Sequence, residues 1–291
     1  MMLFHHLFSF PERVPNNFNY NDISMILVDF SNFGKICVPI FMILSGYGFF
    51  ISCNRGIYYL ISKISWFFIS CWLVLLVFIP LGIIISEGKF ALTFFELILN
   101  ATFISSSYNN EWWFAKFYIF CLVCLPAIYY ISDKPKLLLL LTVFLYFLSK
   151  IFIRLDNFYL NGISDFIFWL SVFLLGFYLA SSGYFGFIND LCGRLCRSLI
   201  CVLALIFLFF FFAFTIKILS FNLNLLVIIS PVFISVLLLL FRFSPNAISR
   251  LFTELGNKSM YIWLTHSFYC YYFFLNLFII LIILSLFLLF F

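Results

Sequence analysis

The chain has 291 residues, of which 66% are hydrophobic and only 9% are charged, and its formal net charge is +5. Soluble domains carry about 25% charged residues, so this composition excludes a soluble globular protein. It predicts an all-α, polytopic integral membrane bundle whose first partner is the lipid bilayer. The basic residues are scattered between apolar segments and form no stripe, which argues against a nucleic-acid partner.

Apolar segments long enough to cross a bilayer recur along the whole chain. A membrane-spanning helix needs about 20 apolar residues, and eight segments meet this length, within a bundle expected to hold about 8–10 helices. They lie at 33–53, 58–85, 112–132, 137–153, 164–182, 198–219, 223–242 and 257–291. The last is too long for one straight crossing. The stretch 90–104 is apolar but short, which predicts a re-entrant or interfacial helix.

The first eight residues resemble the end of a hydrophobic helix that has no room for its beginning. Either the first helix is truncated at Met1, or the protein manages without it. They are also too short to form a signal peptide.

The distribution of positive charge predicts the orientation. Alternating the eight spans places nine of the sixteen Lys and Arg residues on one side, which the positive-inside rule makes cytoplasmic. These residues are Arg55, Lys63, Lys134, Lys136, Arg194, Arg197, Arg242, Arg250 and Lys258. No extramembrane stretch is long enough for a second domain, so residues 1–291 are expected to form one membrane-embedded domain in the cytoplasmic (inner) membrane.

Nine cysteines lie mostly inside apolar segments, where a free thiol behaves as a small hydrophobe. The pairs Cys121/Cys124 and Cys192/Cys196 have metal-like spacing, but neither has a further pair or a nearby His to complete four ligands. We expect no metal site.

Polar groups within hydrocarbon cost roughly 2.5 to 3.5 kcal/mol each and tend to mark functional sites. The first cluster is His5 and His6, at the end of an apolar run. An imidazole can take a proton from an attacking hydroxyl near neutral pH. Neighbouring helix residues point about 100° apart, so at most one of the pair lines a given pocket. The alternative is a pair of interfacial histidines that meet lipid headgroups.

The second cluster runs from Lys35 to Gly48 and contains Ser45 and Gly46. Small residues at this spacing allow a neighbouring helix, or a ligand, to approach the backbone closely.

The third cluster is Asn109 to Phe114. Here Asn110 is expected to cap a helix, Glu111 complements the helix dipole, and Trp112 and Trp113 fit an interfacial belt. These structural roles account for the motif without a substrate site.

The fourth cluster runs from Leu255 to His266. If a span begins near Asn257, His266 lies roughly 14 Å into it, near the middle of the bilayer. A histidine at that depth is either a functional group or a structural hydrogen-bonding residue.

In this order, the four clusters resemble the acyltransferase 3 family of membrane O-acyltransferases. The likeness rests on Leu-Phe-His-His, on the run that closes with Leu-Ser-Gly-Tyr, on Glu-Trp-Trp-Phe, and on Leu-Gly-Asn-Lys-Ser-Met-Tyr-Ile-Trp-Leu-Thr-His. It implies a helical bundle that moves an acetyl or other acyl group from cytoplasmic acyl-CoA to a sugar hydroxyl of an envelope or surface glycan. The acyl-CoA is a donor substrate, and no bound cofactor is implied. The essential histidine of the family maps onto His5, with His6 as the alternative.

Two departures from the family pattern concern residues that would handle CoA phosphates. The Arg that usually precedes the histidine by about ten residues would fall before Met1. The Arg-x-x-Arg pattern of the first cytoplasmic loop is represented here by Arg55 and Lys63 alone.

Together the clusters and the resemblance predict the following roles. His5 is the general base, with His6 and His266 as further catalytic candidates and Glu111 as an orienting or charge partner. Trp112 and Trp113 offer stacking faces to a sugar. The residues expected to bind substrate are Lys35, Ser45, Arg55, Lys63, Trp112 and Trp113.

Two other functions are compatible with the sequence. A transporter or flippase for a lipid-linked glycan would also carry polar groups and tryptophans inside the membrane, although no inverted repeat is visible. A truncated, non-catalytic relative would follow from the missing Arg residues.

Overall fold

The computed structural model describes residues 5–6, 9, 31–52, 56–85, 90, 93–155, 158–195, 199–219 and 222–268. Throughout these ranges the regular secondary structure is helical. The α-helices are α1 Cys37–Ile51, α2 Gly56–Ile85, α3 Phe94–Ala101, α4 Trp113–Tyr129, α5 Pro135–Arg154, α6 Phe158–Ser181, α7 Tyr184–Leu195, α8 Leu199–Leu219, α9 Leu223–Arg242, α10 Asn246–Asn257 and α11 Ser259–Ser267. Short 3₁₀ turns, Asn32–Ile36 and Asn110–Trp112, precede α1 and α4.

Six helical segments in the described ranges are long and apolar enough to cross a membrane. They are Asn32–Ile51, Gly56–Ile84, Asn110–Tyr129, Pro135–Arg154, Tyr159–Ser181 and Leu223–Arg242. All six coincide with predicted spans, and the predicted span 198–219 coincides with α8. The all-α prediction is confirmed: the chain is a polytopic helical membrane protein.

The predicted final span differs from the structure at its beginning. Asn257 is the last residue of α10, and α11 starts at Ser259, so the helix breaks at Lys258. The break follows Gly256 and Asn257, both weak helix formers. His266 therefore lies about 10 Å along α11 rather than 14 Å into a continuous span. The part of this prediction beyond Phe268 falls outside the described residues.

The apolar stretch 90–104 contains the short helix α3. The Thr93 side chain accepts a hydrogen bond from the Glu96 amide and caps its N-terminus. Its re-entrant or interfacial position stays a prediction.

The chain divides into two compact units, each assembled from separated segments. Unit 1 comprises Met1–Lys35, Ser65–Phe114 and Pro245–Phe291. Unit 2 comprises Ile36–Ile64 and Ala115–Ser244.

The core of unit 1 is built on one face of α2. Phe67, Cys71, Val74 and Phe78 recur at helical spacing and are all buried. Phe78 stacks on Phe268 with ring centroids 4.7 Å apart. This face of α2 therefore packs against Phe268, the residue that follows α11, two positions after His266.

In unit 2, α1 and α6 cross at two glycines. A Cβ added to Gly46 would overlap the carbonyl oxygen of Phe173, and one added to Gly176 would overlap that of Ile43. Gly46 therefore serves close helix packing, one of the two roles its motif predicted. Around Gly48 there is open space.

Charged side chains lie within α5 and α6 of unit 2. The predicted span 164–182 left Asp165 at its outer end, but α6 begins earlier, so Asp165 lies inside the helix. It interacts electrostatically with Lys116 and Lys150. The Lys150 ammonium also lies 4.5 Å from the ring centroid of Phe168, a cation–π contact.

Candidate active site

Unit 1 brings together the polar groups of three predicted clusters. The ring centroids of His5 and His6 are 5.0 Å apart, and those of His6 and His266 are 4.5 Å apart. Nε2 of His6 lies 3.5 Å from Oε2 of Glu111. All three histidines are buried. We call these four residues the histidine–glutamate cluster.

The backbone determines which nitrogen of His5 carries hydrogen. Nδ1 of His5 lies 3.0 Å from the carbonyl oxygen of Ser31, and a carbonyl can only accept. Nδ1 is therefore the donor, and in the neutral ring Nε2 holds the lone pair. The Ser9 hydroxyl lies 2.6 Å from the same Nδ1 and 2.5 Å from the Ser31 hydroxyl. His5 is thus held in a tautomer that suits proton abstraction through Nε2.

His6 is the imidazole that faces the carboxylate. The side chains of His6 and Glu111 are only 10% and 13% exposed, so water screens their interaction poorly. Nε2 of His6 therefore points at the carboxylate, which orients this ring beside that of His5.

His266 is held by its own helix. Nδ1 lies 2.6 Å from the carbonyl oxygen of Trp263, so the same tautomer argument leaves the lone pair on Nε2. This nitrogen is buried and has no hydrogen-bond partner among the described residues. Buried polar atoms are rarely unsatisfied, and Nε2 of His266 can accept a hydrogen bond from a substrate.

Asn109 places the Glu111 backbone. Its side chain accepts a hydrogen bond from the Glu111 amide at 3.1 Å and caps the turn Asn110–Trp112. The prediction that Asn110 is the cap is therefore wrong by one residue. Asn110 is the first residue of the turn and is exposed, whereas Asn109 is fully buried.

The two tryptophans next to Glu111 have different environments. Trp112 is 2% exposed, packs 5.6 Å from Phe103 between ring centroids, and donates from Nε1 to the carbonyl oxygen of Leu264 at 3.1 Å. Trp113 is 36% exposed. Trp112 thus belongs to the core of unit 1, while Trp113 retains a partly open ring.

The remaining predicted binding residues are dispersed. Lys35 belongs to unit 1 and lies in the turn Asn32–Ile36. Ser45 belongs to unit 2, where it hydrogen-bonds the Tyr118 side chain. Lys63 also belongs to unit 2, and Arg55 lies outside the described residues.

Comparison with known proteins identifies the family. The acyltransferase 3 family model, described as an acyltransferase domain, matches residues 1–291. The chain belongs to the acyltransferase 3 family. No curated protein and no solved structure matches the chain. The chain is accordingly a multi-pass membrane acyltransferase.

In this acyltransferase the cluster brings together groups that could take part in acyl transfer. Two imidazoles, His5 and His266, hold their lone pairs on Nε2, and a third, His6, faces a carboxylate. Such a set can accept a proton and stabilise developing negative charge.

Sequence reasoning missed three supporting residues: Ser31, Asn109 and Ser267. Ser31 precedes the turn Asn32–Ile36 and Ser267 is the last residue of α11, and nothing in their local sequence signals a role. Asn109 does carry a signal, since an Asn before a Glu-containing first turn is a typical N-cap. The adjacent Asn110 carries the same signal.

Proposed function

We propose that this membrane acyltransferase moves an acyl group, most simply acetyl, from cytoplasmic acyl-CoA to a hydroxyl of an envelope glycan. The observation that supports this proposal is the buried histidine–glutamate cluster, with His5 held by Ser31 as a proton acceptor. The family resemblance supplies the donor and the acceptor class.

The proposed step is direct transfer. Nε2 of His5 takes the proton of the acceptor hydroxyl as its oxygen attacks the thioester carbonyl carbon. The carbon–sulfur bond then breaks, and the CoA thiolate takes the proton back from His5 and leaves as the thiol. The products are an O-acyl ester and free CoA, so atoms and charge balance.

The other members of the cluster have distinct proposed roles. The His6 ring, oriented by Glu111, stabilises the oxyanion formed during attack. Nε2 of His266 accepts a hydrogen bond from a donor group on the substrate. A partly exposed ring suits sugar stacking, so this role is proposed for Trp113 and no longer for Trp112.

The phosphate groups of CoA are negatively charged and would bind to a basic surface. Arg55 and Lys63, which the charge distribution predicts on the cytoplasmic side, would meet the phosphates, together with Arg250 and Lys258; Lys63 lies in the second turn of α2. Lys35 and Ser45 remain proposed substrate contacts.

Purified protein in lipid nanodiscs, supplied with radiolabelled acetyl-CoA and extracted envelope glycan, tests the proposal. We expect CoA thiol release and label in the glycan, both lost in His5→Ala. Release of thiol without labelled glycan would overturn the acceptor assignment. Glycan translocation without thiol release would indicate a flippase, and no reaction with any short acyl-CoA would indicate a non-catalytic relative.

A further inference from the structure

Asn109 makes three side-chain hydrogen bonds beside the cluster. Its amide is fully buried. Oδ1 accepts from the Glu111 amide at 3.1 Å and from the Ser267 hydroxyl at 2.6 Å, and Nδ2 donates to the Leu264 carbonyl oxygen at 3.3 Å. Both the oxygen and the nitrogen of this side chain are thus engaged.

These bonds join two segments that are far apart in sequence. Asn109 and Leu264 are separated by 155 positions. On one side is the turn that carries Glu111, and on the other is α11, which carries His266. Leu264 and Ser267 flank His266 in the chain. The Asn109 side chain therefore bonds α11 on both sides of the histidine.

Trp112 adds a second connection to the same carbonyl group. Its Nε1 and Nδ2 of Asn109 both donate to the oxygen of Leu264. Asn109 differs from Trp112 because it also bonds the Glu111 amide. Asn109 therefore bonds both the turn that carries Glu111 and the helix that carries His266.

We propose that Asn109 is a positioning residue of the transfer site, which sets the Glu111 carboxylate and the His266 imidazole at the distances that the reaction requires. This inference rests on the proposed function. Displacement of reacting groups by about 1 Å costs about 10²-fold in rate. Loss of the Asn109 amide should therefore lower the rate of acyl transfer even when the protein stays folded.

The variants separate the bonds of Asn109 from one another. Asn109→Ala removes all three, whereas Asn109→Ser keeps a hydroxyl that can cap Glu111 but is too short to reach α11. Ser267→Ala removes only one bond to α11. The matched control is Asn110→Ala, which changes the same residue type at the exposed neighbouring position.

Hydrogen–deuterium exchange of the purified protein tests the connection without any substrate. We expect Asn109→Ala to raise exchange in peptides covering both 105–112 and 259–267. Asn109→Ser should raise it chiefly in 259–267, and Asn110→Ala in neither. Unchanged exchange in 259–267 on Asn109→Ala would overturn the inference, and thermal melting shows that each variant is folded.

Acetyl-CoA thiol release then tests the positioning role. We expect Asn109→Ala to lose about 10²-fold and Asn110→Ala to stay within about twofold. In a His266→Ala background Asn109→Ala should lose clearly less than about 10²-fold, because the part of its effect that acts through His266 is already gone. Full additivity, or full activity of folded Asn109→Ala, would overturn the positioning role. A wild type without thiol release would contradict the proposed function instead, and the exchange result would still decide the connection.

Discussion

Nε2 of His6 lies 3.5 Å from Oε2 of Glu111 in a largely buried setting. The pair joins a residue near the start of the chain to the turn before α4. Because the site is buried, little water is present to hydrogen-bond either side chain if its partner is removed, so removal of one leaves the other unsatisfied. The ring of His6, oriented in this way, lies next to the ring of His5, with centroids 5.0 Å apart.

Loss of either partner of this pair should lower acyl transfer. We expect Glu111→Gln and His6→Ala each to reduce kcat by about 10²-fold, and the double variant to be little worse than either, because both remove one interaction. Steady-state kinetics with acetyl-CoA measure this. A double variant whose loss equals the product of the two single losses would show that the residues act separately.

The glycine crossing in unit 2 should be sensitive to a single methyl group. Gly46→Ala places a Cβ against backbone atoms of α6 that cannot move aside, and we expect it to cost about 1–3 kcal/mol of stability. Gly48→Ala, two residues along the same helix, meets open space and should be neutral or mildly stabilising. Thermal melting in detergent compares the two, and equal effects would contradict the crossing.

Substitution of Trp112 should affect stability, whereas substitution of Trp113 should affect substrate binding. Trp112→Phe loses the hydrogen bond to Leu264 and should lower the melting temperature. Trp113→Ala should leave the melting temperature nearly unchanged and raise KM for the glycan acceptor, because stacking contributes roughly 1 kcal/mol. A raised KM in Trp112→Phe with an unchanged KM in Trp113→Ala would contradict this assignment.

Helix α10 should lie at the membrane surface. None of its residues is buried, and Ile248, Leu251, Phe252 and Leu255 form one exposed apolar face. A helix of this kind, too short to span, inserts its apolar face at the headgroup boundary. A photoreactive phenylalanine analogue at position 252 should form lipid adducts, while the same group at position 253, on the polar face, should not. Protein–protein adducts from position 252 would contradict a lipid environment.

The sequence predicts the helices well because a bilayer imposes a length and a composition that no soluble fold shares. It also points to the four ionisable groups that the structure brings together. Ionisable side chains are costly to bury, so they are rare in apolar segments and easily recognised there. These groups are His5, His6, Glu111 and His266.

The arrangement of those groups could not be predicted. Which of His5 and His6 faces Glu111 depends on the rotation of their helix, which two adjacent residues do not reveal. The bonds from Asn109 to α11 depend on tertiary packing across 155 positions. The break at Lys258 was missed because the hydrophobic pattern of α11 starts immediately after it.

The central claim is that His5 abstracts a proton during acyl transfer to an envelope glycan. The most direct measurement is the amount of alkali-labile O-acyl groups on envelope glycans of host cells that lack the native gene and express either wild type or His5→Ala at equal membrane levels. We expect wild type to restore the O-acyl groups and His5→Ala to lower them by at least about 10²-fold. Equal O-acylation by the two proteins would contradict the claim.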